Sequence, residues 1–267
     1  MSKFIVAGIT QIETLVRVSA LPIDDTPMVS RPNSIFTAPG GDAYNTSLAL
    51  QWLGNEVYFM SVVGKNQDLR LFNPPDREVT ISTDYILPIL LDTPTEVMLY
   101  DKYRNQQKFE DHKDLRQARY DMLLVEPLMP QAEMLVLSNA NFCRPFIHMG
   151  KEAGKKIAVK IHGFFREKEL YNTDFLENAA ILYFSDDTLM EHPHDFIRDI
   201  VSSYDPEIII LGQGSQGVTL YDKYREMEVH YNTVTTNYVV NTAGAGNALF
   251  ACFLHYYLAK KDSVYAI

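Results

Sequence analysis

The sequence has few cysteines and no excess of positive charge. Cys143 and Cys252 are its only two cysteines and lie in apolar segments far apart in the chain, so we expect neither a disulfide framework nor a zinc site. Lysine and arginine together number 24, against 34 aspartates and glutamates, which gives a formal net charge of -10. Without a basic field, the chain is a poor match for a nucleic-acid backbone or an anionic membrane. Any phosphorylated ligand must therefore be held by local groups.

Long apolar runs are also absent, and so is a charged and apolar leader. No apolar segment approaches the length of a membrane span, and the chain does not open with a signal-like pattern. We therefore expect no membrane partner and a cytoplasmic location. With 267 residues, 46% of them hydrophobic, the chain can bury a sizeable core, which favours one α/β domain with an elaboration.

Strand-like and helix-like segments alternate in the second half of the chain. Strand-like runs occur at 134–137, 156–161, 180–184 and 208–211, and helical patterns at 145–154, 167–178 and 194–203. Such alternation predicts a mainly parallel sheet with helices on both faces. Residues 79–91 and 95–103 are β-rich without a helix between them, and we predict that they form an antiparallel excursion, a small sheet added to the main domain.

A glycine-rich turn precedes the last helical pattern. The strand-like residues 238–240 lead into Asn-Thr-Ala-Gly-Ala-Gly-Asn at 241–247, and a helix that is apolar almost all round follows at 245–259. Glycines allow the backbone N–H groups to approach a ligand closely, and the helix N-terminus adds partial positive charge. This pattern favours a phosphate-binding turn. The alternative is a strand-to-helix turn whose glycines only permit close packing.

Two segments at opposite ends of the chain fit one known pattern. The first is Pro-Gly-Gly-Asp-Ala-Tyr-Asn-Thr at 39–46, and the second is the motif at 241–247. Together they resemble the two signatures of the ribokinase-like (pfkB) carbohydrate and nucleoside kinases. The resemblance implies a doubly wound α/β fold with a mainly parallel sheet, helices on both faces and a small β lid. We expect a single domain over 1–267, with the lid inserted from about 12–36 and 84–110.

The resemblance also implies roles for particular residues. Gly244, Ala245 and Gly246 would form an anion hole, with Asn247 at the position of the catalytic base. The acceptor would contact Glu13, Gly40, Gly41, Asp42 and Asn45, and the nucleotide would contact Gly212, Gly214, Gly217, Thr242 and Ala243. Lid residues Glu96, Met98 and Tyr100 would set the acceptor specificity. The alternatives are that Glu13 is a solvated strand residue and that Asp42 caps the following helix.

The sequence departs from the family pattern on the phosphate and metal side. Asn247 stands where the family has the aspartate that deprotonates the acceptor, and an amide takes up no proton at neutral pH. Lys160-Ile-His162 replaces Asp-x-Asn. The run at 185–188 replaces the magnesium-organising Asn-x-x-Glu, which leaves Asp187 as the candidate metal ligand or as a cap of the next segment. Helices that flank the adenine in the family would follow Ile267, so we expect an incomplete adenine pocket.

Two functions remain open at this point. One is an ATP- and Mg²⁺-dependent kinase that phosphorylates a hydroxyl of a sugar or nucleoside, with weak activity because of Asn247. The other is a binding or regulatory protein that holds such a ligand on the same scaffold and hardly turns it over. A dinucleotide-dependent oxidoreductase is disfavoured, because no Gly-x-Gly-x-x-Gly follows the first strand. A lid with an apolar face and open edges also favours a homodimer.

Overall fold

The computed structural model describes residues 1–75, 78–103, 105–166, 169–234 and 242–267. Its strands are β1 (Lys3–Ala7), β2 (Gln11–Arg17), β3 (Ile35–Gly40), β4 (Glu56–Gly64), β5 (Ile86–Leu90), β6 (Thr95–Tyr100), β7 (Gln106–Asp111), β8 (Met134–Ser138), β9 (Lys156–Lys160), β10 (Ile181–Ser185), β11 (Ile208–Gly212), β12 (Val218–Asp222) and β13 (Met227–Tyr231). Its α-helices are α1 (Asp42–Trp52), α2 (Arg144–Glu152), α3 (Glu169–Asn178), α4 (Pro193–Tyr204), α5 (Ala245–Lys260) and α6 (Ser263–Ala266).

The described residues form one large sheet in the order β13-β12-β11-β10-β9-β8-β1-β4-β5. The strands from β11 to β5 run parallel, and the antiparallel strands β12 and β13 extend one edge. Parallel strands are buried on both faces, so they read as continuous apolar runs; Ile208, Ile209 and Ile210 are at most 1% exposed.

Helices cover both faces of this sheet, and two separate cores result. Along β1 the side chains alternate between them, with Ile5 in the core that contains residues of α2, α3 and α4 and Phe4 and Val6 in the core formed with α1, α5 and α6. The period of two follows from strand geometry. Helix α5 buries Phe253 and Leu254 completely, in agreement with its apolar pattern. The predicted doubly wound architecture is confirmed.

A second sheet of four strands, in the order β3-β2-β6-β7, forms the lid. Strand β2 pairs antiparallel with β3 and parallel with β6, and β6 pairs antiparallel with β7. The predicted antiparallel excursion over 79–91 is wrong: β5 extends the large sheet in parallel with β4. The short apolar run of β5 does not indicate which of the two sheets it joins, because each sheet has an edge to which a strand can be added. The lid range expected at 84–110 therefore includes one strand of the main sheet.

Among the residues that the structure describes, no helix is both long and apolar enough to span a bilayer.

Candidate active site

The candidate site lies where the parallel strands end, which is the edge at which open α/β sheets bind ligands. Lys160 is the last residue of β9, and Gly212 is the last residue of β11. The N-termini of α1 and α5 point to the same region, and the lid reaches it from above through Gln106 of β7, whose amide donates to Oγ1 of Thr242 over 2.6 Å. The fold thus brings both glycine motifs and the lid to one place.

Glu13 is tied to the first glycine motif. Its Oε1 accepts the backbone N–H of Gly41 over 2.7 Å, and a Cβ built on Gly40 would lie only 2.0 Å from the Glu13 carboxyl carbon. Gly41 adopts φ of 94°, in the left-handed region that favours glycine. Glu13 is therefore a partly buried, hydrogen-bonded carboxylate, and its reading as a freely solvated strand residue is wrong.

The lid places three glutamates at one register. Glu13 of β2 is opposite Glu96 of β6, and Glu96 is opposite Glu110 of β7. The amide of Gln11 donates to both Glu13 and Glu96, over 3.2 and 3.0 Å. Burial, the largest contribution, raises the pKa of Glu96 above its usual range. Glu110 and Gln106 are four residues apart on β7 and therefore on one face of the lid, and both contact residues of the main domain. The three glutamates are opposite one another across the strands, so they share this face and point to the site.

Lys160 connects the first glycine motif, at 39–46, to the second, at 241–247. Its Nζ donates to Oδ1 of Asp42 over 2.7 Å and also to Oδ1 of Asn247. The side chains of Lys160 and Asp42 are 13% and 9% exposed, so this ion pair is largely shielded from water. Gly41 is the N-cap of α1 and Asp42 is the first helical residue, and the Asp42 carboxylate contacts Lys160 and His162. The alternative role of Asp42 as a helix cap is therefore wrong.

His162 extends this network to the lid. Its Nδ1 lies 3.5 Å from Oδ2 of Asp42, and its Nε2 lies 2.7 Å from Oε1 of Glu110. Burial lowers the pKa of His162, but the charge of Asp42 and the bonds to both carboxylates outweigh burial and raise it to about 10. Burial likewise opposes ionisation of Asp42, and the charges of Lys160 and His162 nevertheless hold its pKa far below the usual range. At neutral pH the protonated His162 therefore lies between the carboxylates of Asp42 and Glu110.

The contact with Lys160 fixes the orientation of the Asn247 amide. A lysine ammonium only donates hydrogen bonds, so the amide oxygen must face it and Nδ2 must point away. Asn247 is 7% exposed and lies in the first turn of α5. The position that the family pattern assigns to a proton acceptor thus presents a hydrogen-bond donor.

The glycine turn has the form expected of an anion site. Gly244 caps α5 with φ of 76°, a conformation that other residues adopt rarely. No side chain occupies the space above it, since a Cβ built there would come no closer than 3.8 Å to Asn45. The first N–H groups of a helix have no partners within the helix and attract anions. Residues 238–241, including the predicted strand and the first residue of the motif, lie outside the described residues.

Close packing accounts for two of the predicted site glycines. The hydroxyl of Tyr183 would lie 2.6 Å from a Cβ on Gly246 and 2.5 Å from a Cβ on Gly212. Both positions therefore require glycine because Tyr183 of β10 lies between them. Close packing, the alternative explanation of the turn, therefore explains the glycine at 246. At 244 the backbone conformation explains it.

The predicted nucleotide side is a tight connection between β11 and β12. Gly214 and Gly217 have φ of 53° and 111°, and a Cβ on Gly217 would lie 2.0 Å from the backbone oxygen of Tyr231. The hydroxyl of Thr219 donates to the Gln213 side chain over 2.6 Å. These glycines therefore shape the hairpin, and their contact with a nucleotide stays a prediction.

The metal prediction rests on Asp187 and its neighbour Asp186. Both lie in a short 3-10 turn after β10 whose N-cap is Ser185, and the N-cap of the next helix is His192, so neither residue is a cap. Burial, followed by the charge of Asp187, raises the pKa of Asp186. In the part of the chain that the structure describes, no three His, Cys, Asp or Glu side chains gather around a common point. Asp187 as a magnesium ligand stays a prediction.

A cavity of about 440 Å³ adjoins the glycine turn between α1 and α5. Apart from Asn45, its lining is apolar and includes Leu48, Trp52, Gly244 and Ala248. Its volume is in the range of small-molecule sites. The turn is therefore accessible from this side.

Several residues of the site had no signal in the sequence. Gln11, Gln106, Glu110 and Tyr183 come from three strands, β2, β7 and β10, and converge only in three dimensions. For Glu110 the sequence did contain an indication. Residues two apart in a strand share a face, and Gln106, Lys108 and Glu110 form a polar series at that spacing. Which face of the lid looked inward could not be read from that series alone.

Comparison with known proteins identifies the family. A family model described as "pfkB family carbohydrate kinase" matches residues 1–158. The chain belongs to the pfkB family of carbohydrate kinases. No curated protein gives a significant sequence match to it.

Solved structures of kinases share the fold of this pfkB member. A microbiome-derived acarbose kinase has a TM-score of 0.81 at 20% identity, covering 99% of this chain and 88% of the other. A ribokinase from Arabidopsis thaliana complexed with ribose and ATP has a TM-score of 0.77 at 15% identity, with 100% and 89% covered. A nucleoside kinase from Burkholderia thailandensis in complex with inosine has a TM-score of 0.69 at 15% identity, with 97% and 83% covered. At such identities these similarities show the fold alone.

The raised pKa of His162 predicts a pH dependence of stability. Because the folded-state pKa of about 10 exceeds the ordinary value of 6.5, the protonated histidine stabilises the fold fully below pH 6.5, and this stabilisation is lost as the pH rises toward 10. Urea unfolding from pH 6.5 to 9.5 should therefore show a falling free energy of unfolding, and His162→Gln should flatten that slope. His148→Gln, on an exposed helix face, is the control and should keep it. A slope unchanged in His162→Gln would contradict the assignment.

Proposed function

We propose that this protein is an ATP-dependent kinase that transfers a phosphoryl group, slowly, to a hydroxyl of a sugar or nucleoside. The observation that carries the proposal is the meeting of Asp42, Lys160 and Asn247 in one hydrogen-bonded group. That group joins the acceptor motif at the start of α1 to the anion-binding end of α5. Membership of the pfkB family and the kinase neighbours support it.

The acceptor side is suited to a polyhydroxyl compound. Asp42 and Glu13 supply carboxylate oxygens beside Gly40 and Gly41, and Asn45 lies one helical turn further along α1. Carboxylates and amides hold the hydroxyl groups of sugars by accepting and donating hydrogen bonds. Met98 and Tyr100, which are only 1% and 6% exposed, add apolar surface to the face of the lid that carries Glu96. We therefore assign the acceptor to the space between α1 and the lid.

The phosphate side fits the polyphosphate of ATP through backbone groups. Thr242, Ala243 and the Gly244–Gly246 turn would hold phosphate oxygens at the start of α5, and Gly212, Gly214 and Gly217 would lie toward the nucleotide. Magnesium in kinases is bound by one or two carboxylates together with phosphates and water, and Asp186 and Asp187 provide such a pair. When bound, the metal would neutralise phosphate charge.

Asp42 and Glu13, the carboxylates beside the first glycine motif, do not replace the missing base well. A general base works best when its pKa lies near the operating pH, whereas the charges around Asp42 hold its pKa far below that range despite burial. Oε1 of Glu13 already accepts a hydrogen bond from the backbone N–H of Gly41. The backbone turn and the acceptor contacts still position and stabilise the reacting groups. We therefore infer that transfer persists at a reduced rate.

A binding or regulatory role on the same scaffold is the second candidate. The amide at position 247 favours it, because an amide takes up no proton at neutral pH and its oxygen is already held by Lys160. In this case a sugar, nucleoside or nucleotide would bind with little turnover.

Replacing Asn247 with aspartate should raise the rate of phosphoryl transfer. A general base contributes about 10²–10⁴-fold in rate, and because Lys160 remains beside the new carboxylate and lowers its basicity, we expect kcat to increase by about 10-fold or more. The assay is ADP release from Mg-ATP with a panel of sugars and nucleosides. Asn178→Asp is the matched control, since Asn178 also accepts from a lysine, Lys151, on the surface, and it should leave kcat unchanged.

The outcomes of this assay separate the two candidate functions. Measurable turnover by the native protein excludes a purely binding role. If neither the native protein nor Asn247→Asp turns over while a panel compound raises the melting temperature, the kinase proposal is wrong for that panel. A lower kcat in Asn247→Asp would show that the base lies elsewhere.

We also propose a single domain over 1–267 whose lid, made of β2, β3, β6 and β7, pairs with the lid of a second copy. The outer face of the lid carries exposed apolar side chains: Ile35, Val97 and Phe109 are 64%, 37% and 53% exposed. Covering such side chains and the free strand edges beside them is favourable. The site-facing glutamates lie on the opposite face, so pairing would leave the site open.

The lid pairing predicts a dimer that charge on the outer face disrupts. Size-exclusion chromatography with light scattering should give twice the chain mass for the native protein and the chain mass for Phe109→Glu, because an unpaired charge in an apolar interface is costly. Leu170→Glu, at an exposed position on α3, should remain dimeric. A native protein that is strictly monomeric at tens of micromolar would contradict the pairing.

A further inference from the structure

Glu13 and Glu96 are neighbouring carboxylates without a counter-charge of their own. They lie opposite each other on β2 and β6, and adjacent strands are about 4.8 Å apart. The ion pairs of the site go to Asp42 and Glu110, and among the described residues neither Glu13 nor Glu96 forms one. The neutral amide of Gln11 donates to both. Because Glu96 is 7% exposed, two such charges side by side are costly without a cation nearby.

The pKa of Glu96 reflects this shortage of positive charge. Burial, the largest contribution, raises the pKa, and the charges of Glu13 and Glu110 raise it further. The charge of Lys108, an exposed residue of β7, acts in the opposite direction and does not outweigh them. A positive group placed beside Glu96 would favour its ionised form.

The lid glutamates and Asp42 surround one space between the lid and α1. Oε1 of Glu13 accepts from the N–H of Gly41, the residue before Asp42. On the other side, His162 lies 3.5 Å from Oδ2 of Asp42 and 2.7 Å from Oε1 of Glu110. The lid completes the circle, because Glu110 and Glu13 flank the glutamate of β6. A ligand in this space meets all four carboxylates.

One oxygen of Asp42 in this circle lacks a hydrogen bond of good geometry. Oδ1 accepts from Lys160, whereas Oδ2 is buried and has no hydrogen-bond partner among the described residues. Nδ1 of His162, at 3.5 Å, lies beyond the usual N–H···O range of about 2.7–3.2 Å. Asp42 is 8% exposed, and a buried acceptor without a donor is costly. Oδ2 therefore marks a place for a donor that a ligand brings.

The balance of charge favours a cationic donor. Asp42 and the three lid glutamates supply four carboxylates, against Lys160, His162 and the more distant Lys108. A hydroxyl could donate to Oδ2 but would leave the excess negative charge uncompensated. An ammonium group is positively charged and only donates hydrogen bonds, so it satisfies both requirements. In the part of the chain that the structure describes, no three His, Cys, Asp or Glu side chains could hold a metal ion together, which favours an organic cation.

We propose that the acceptor of this site is a sugar or nucleoside that carries a protonated amine, held between Asp42, Glu13 and Glu96. The inference rests on the proposed function, because it names the substrate class of the same acceptor site. The amine is a binding group that keeps its protons, and the phosphoryl group is transferred to a hydroxyl of the same compound.

Isothermal titration calorimetry without ATP, at about pH 6.5 where such amines are protonated, tests this preference. The probes are glucosamine, glucose and N-acetylglucosamine, then 3'-amino-3'-deoxyadenosine and adenosine, and ammonium chloride alone. For the native protein we expect the amine of at least one series to bind about 10-fold or more tightly than its hydroxyl parent, the effect of a charge-assisted hydrogen bond. N-acetylglucosamine, whose amide is neutral, should show no such gain.

One variant assigns the preference to the lid carboxylate. Glu96→Gln keeps the shape of the side chain and removes its charge, so it should lower the ratio of amine affinity to parent affinity by about 10-fold or more. A merely structural role of Glu96 would change both affinities together and keep their ratio. Glu152→Gln, the same change at an exposed position of α2, is the matched control and should keep the native ratio. Circular dichroism and the melting temperature check the fold of each variant.

Four outcomes would overturn the inference. If glucose and adenosine bind as tightly as their amines, or N-acetylglucosamine as tightly as glucosamine, the charge is not recognised although the proposed function stands. If Glu96→Gln keeps the native ratio, the lid carboxylate is not responsible. If ammonium chloride binds as tightly as the amines, the site holds a bare cation. Absence of binding by every probe would contradict the proposed function for these substrate classes together with the inference.

Discussion

The site depends on one ammonium group. Nζ of Lys160 reaches Asp42 at the start of α1 and Asn247 at the start of α5, and so it joins the two glycine motifs, which are about two hundred residues apart in the sequence. The position follows from the fold, because Lys160 ends β9 at the edge where all parallel strands end. A buried carboxylate such as Asp42 is tolerated only with a compensating charge. Lys160 supplies that charge and at the same time decides which atom of Asn247 faces the ligand.

The rest of the electrostatics follows from this pair. His162 contacts Asp42 on one side and Glu110 of the lid on the other, so the lid is bound to the main domain by charge as well as by chain connectivity. The chain has a net charge of -10, yet Lys160 brings an ammonium group to the start of α5. An anion can therefore be held locally although the protein as a whole repels it.

The sequence was informative where backbone chemistry decides the structure. The alternation of strands and helices predicted the doubly wound sheet, and the glycine motifs predicted tight turns, because a positive φ at Gly41 and Gly244 favours glycine. The sequence was uninformative where side chains from separate strands converge. Lys160 and His162 stood out only as departures from the family pattern, and nothing indicated that Lys160 would contact Asn247. Tyr183 explains why Gly212 and Gly246 must be glycine, a packing reason that no local pattern carries. Strand β5 was misassigned because a short apolar run does not specify its partner.

A double-mutant cycle between Lys160 and Asn247 tests the central claim most directly. The free energies of unfolding of the native protein, Lys160→Met, Asn247→Ala and the double variant give the coupling between the two side chains. A hydrogen bond to a charged group that is shielded from water predicts a coupling of about 1–3 kcal/mol. A coupling near zero, with each single change costing the same in either background, would show that Lys160 does not hold Asn247 and would contradict the account.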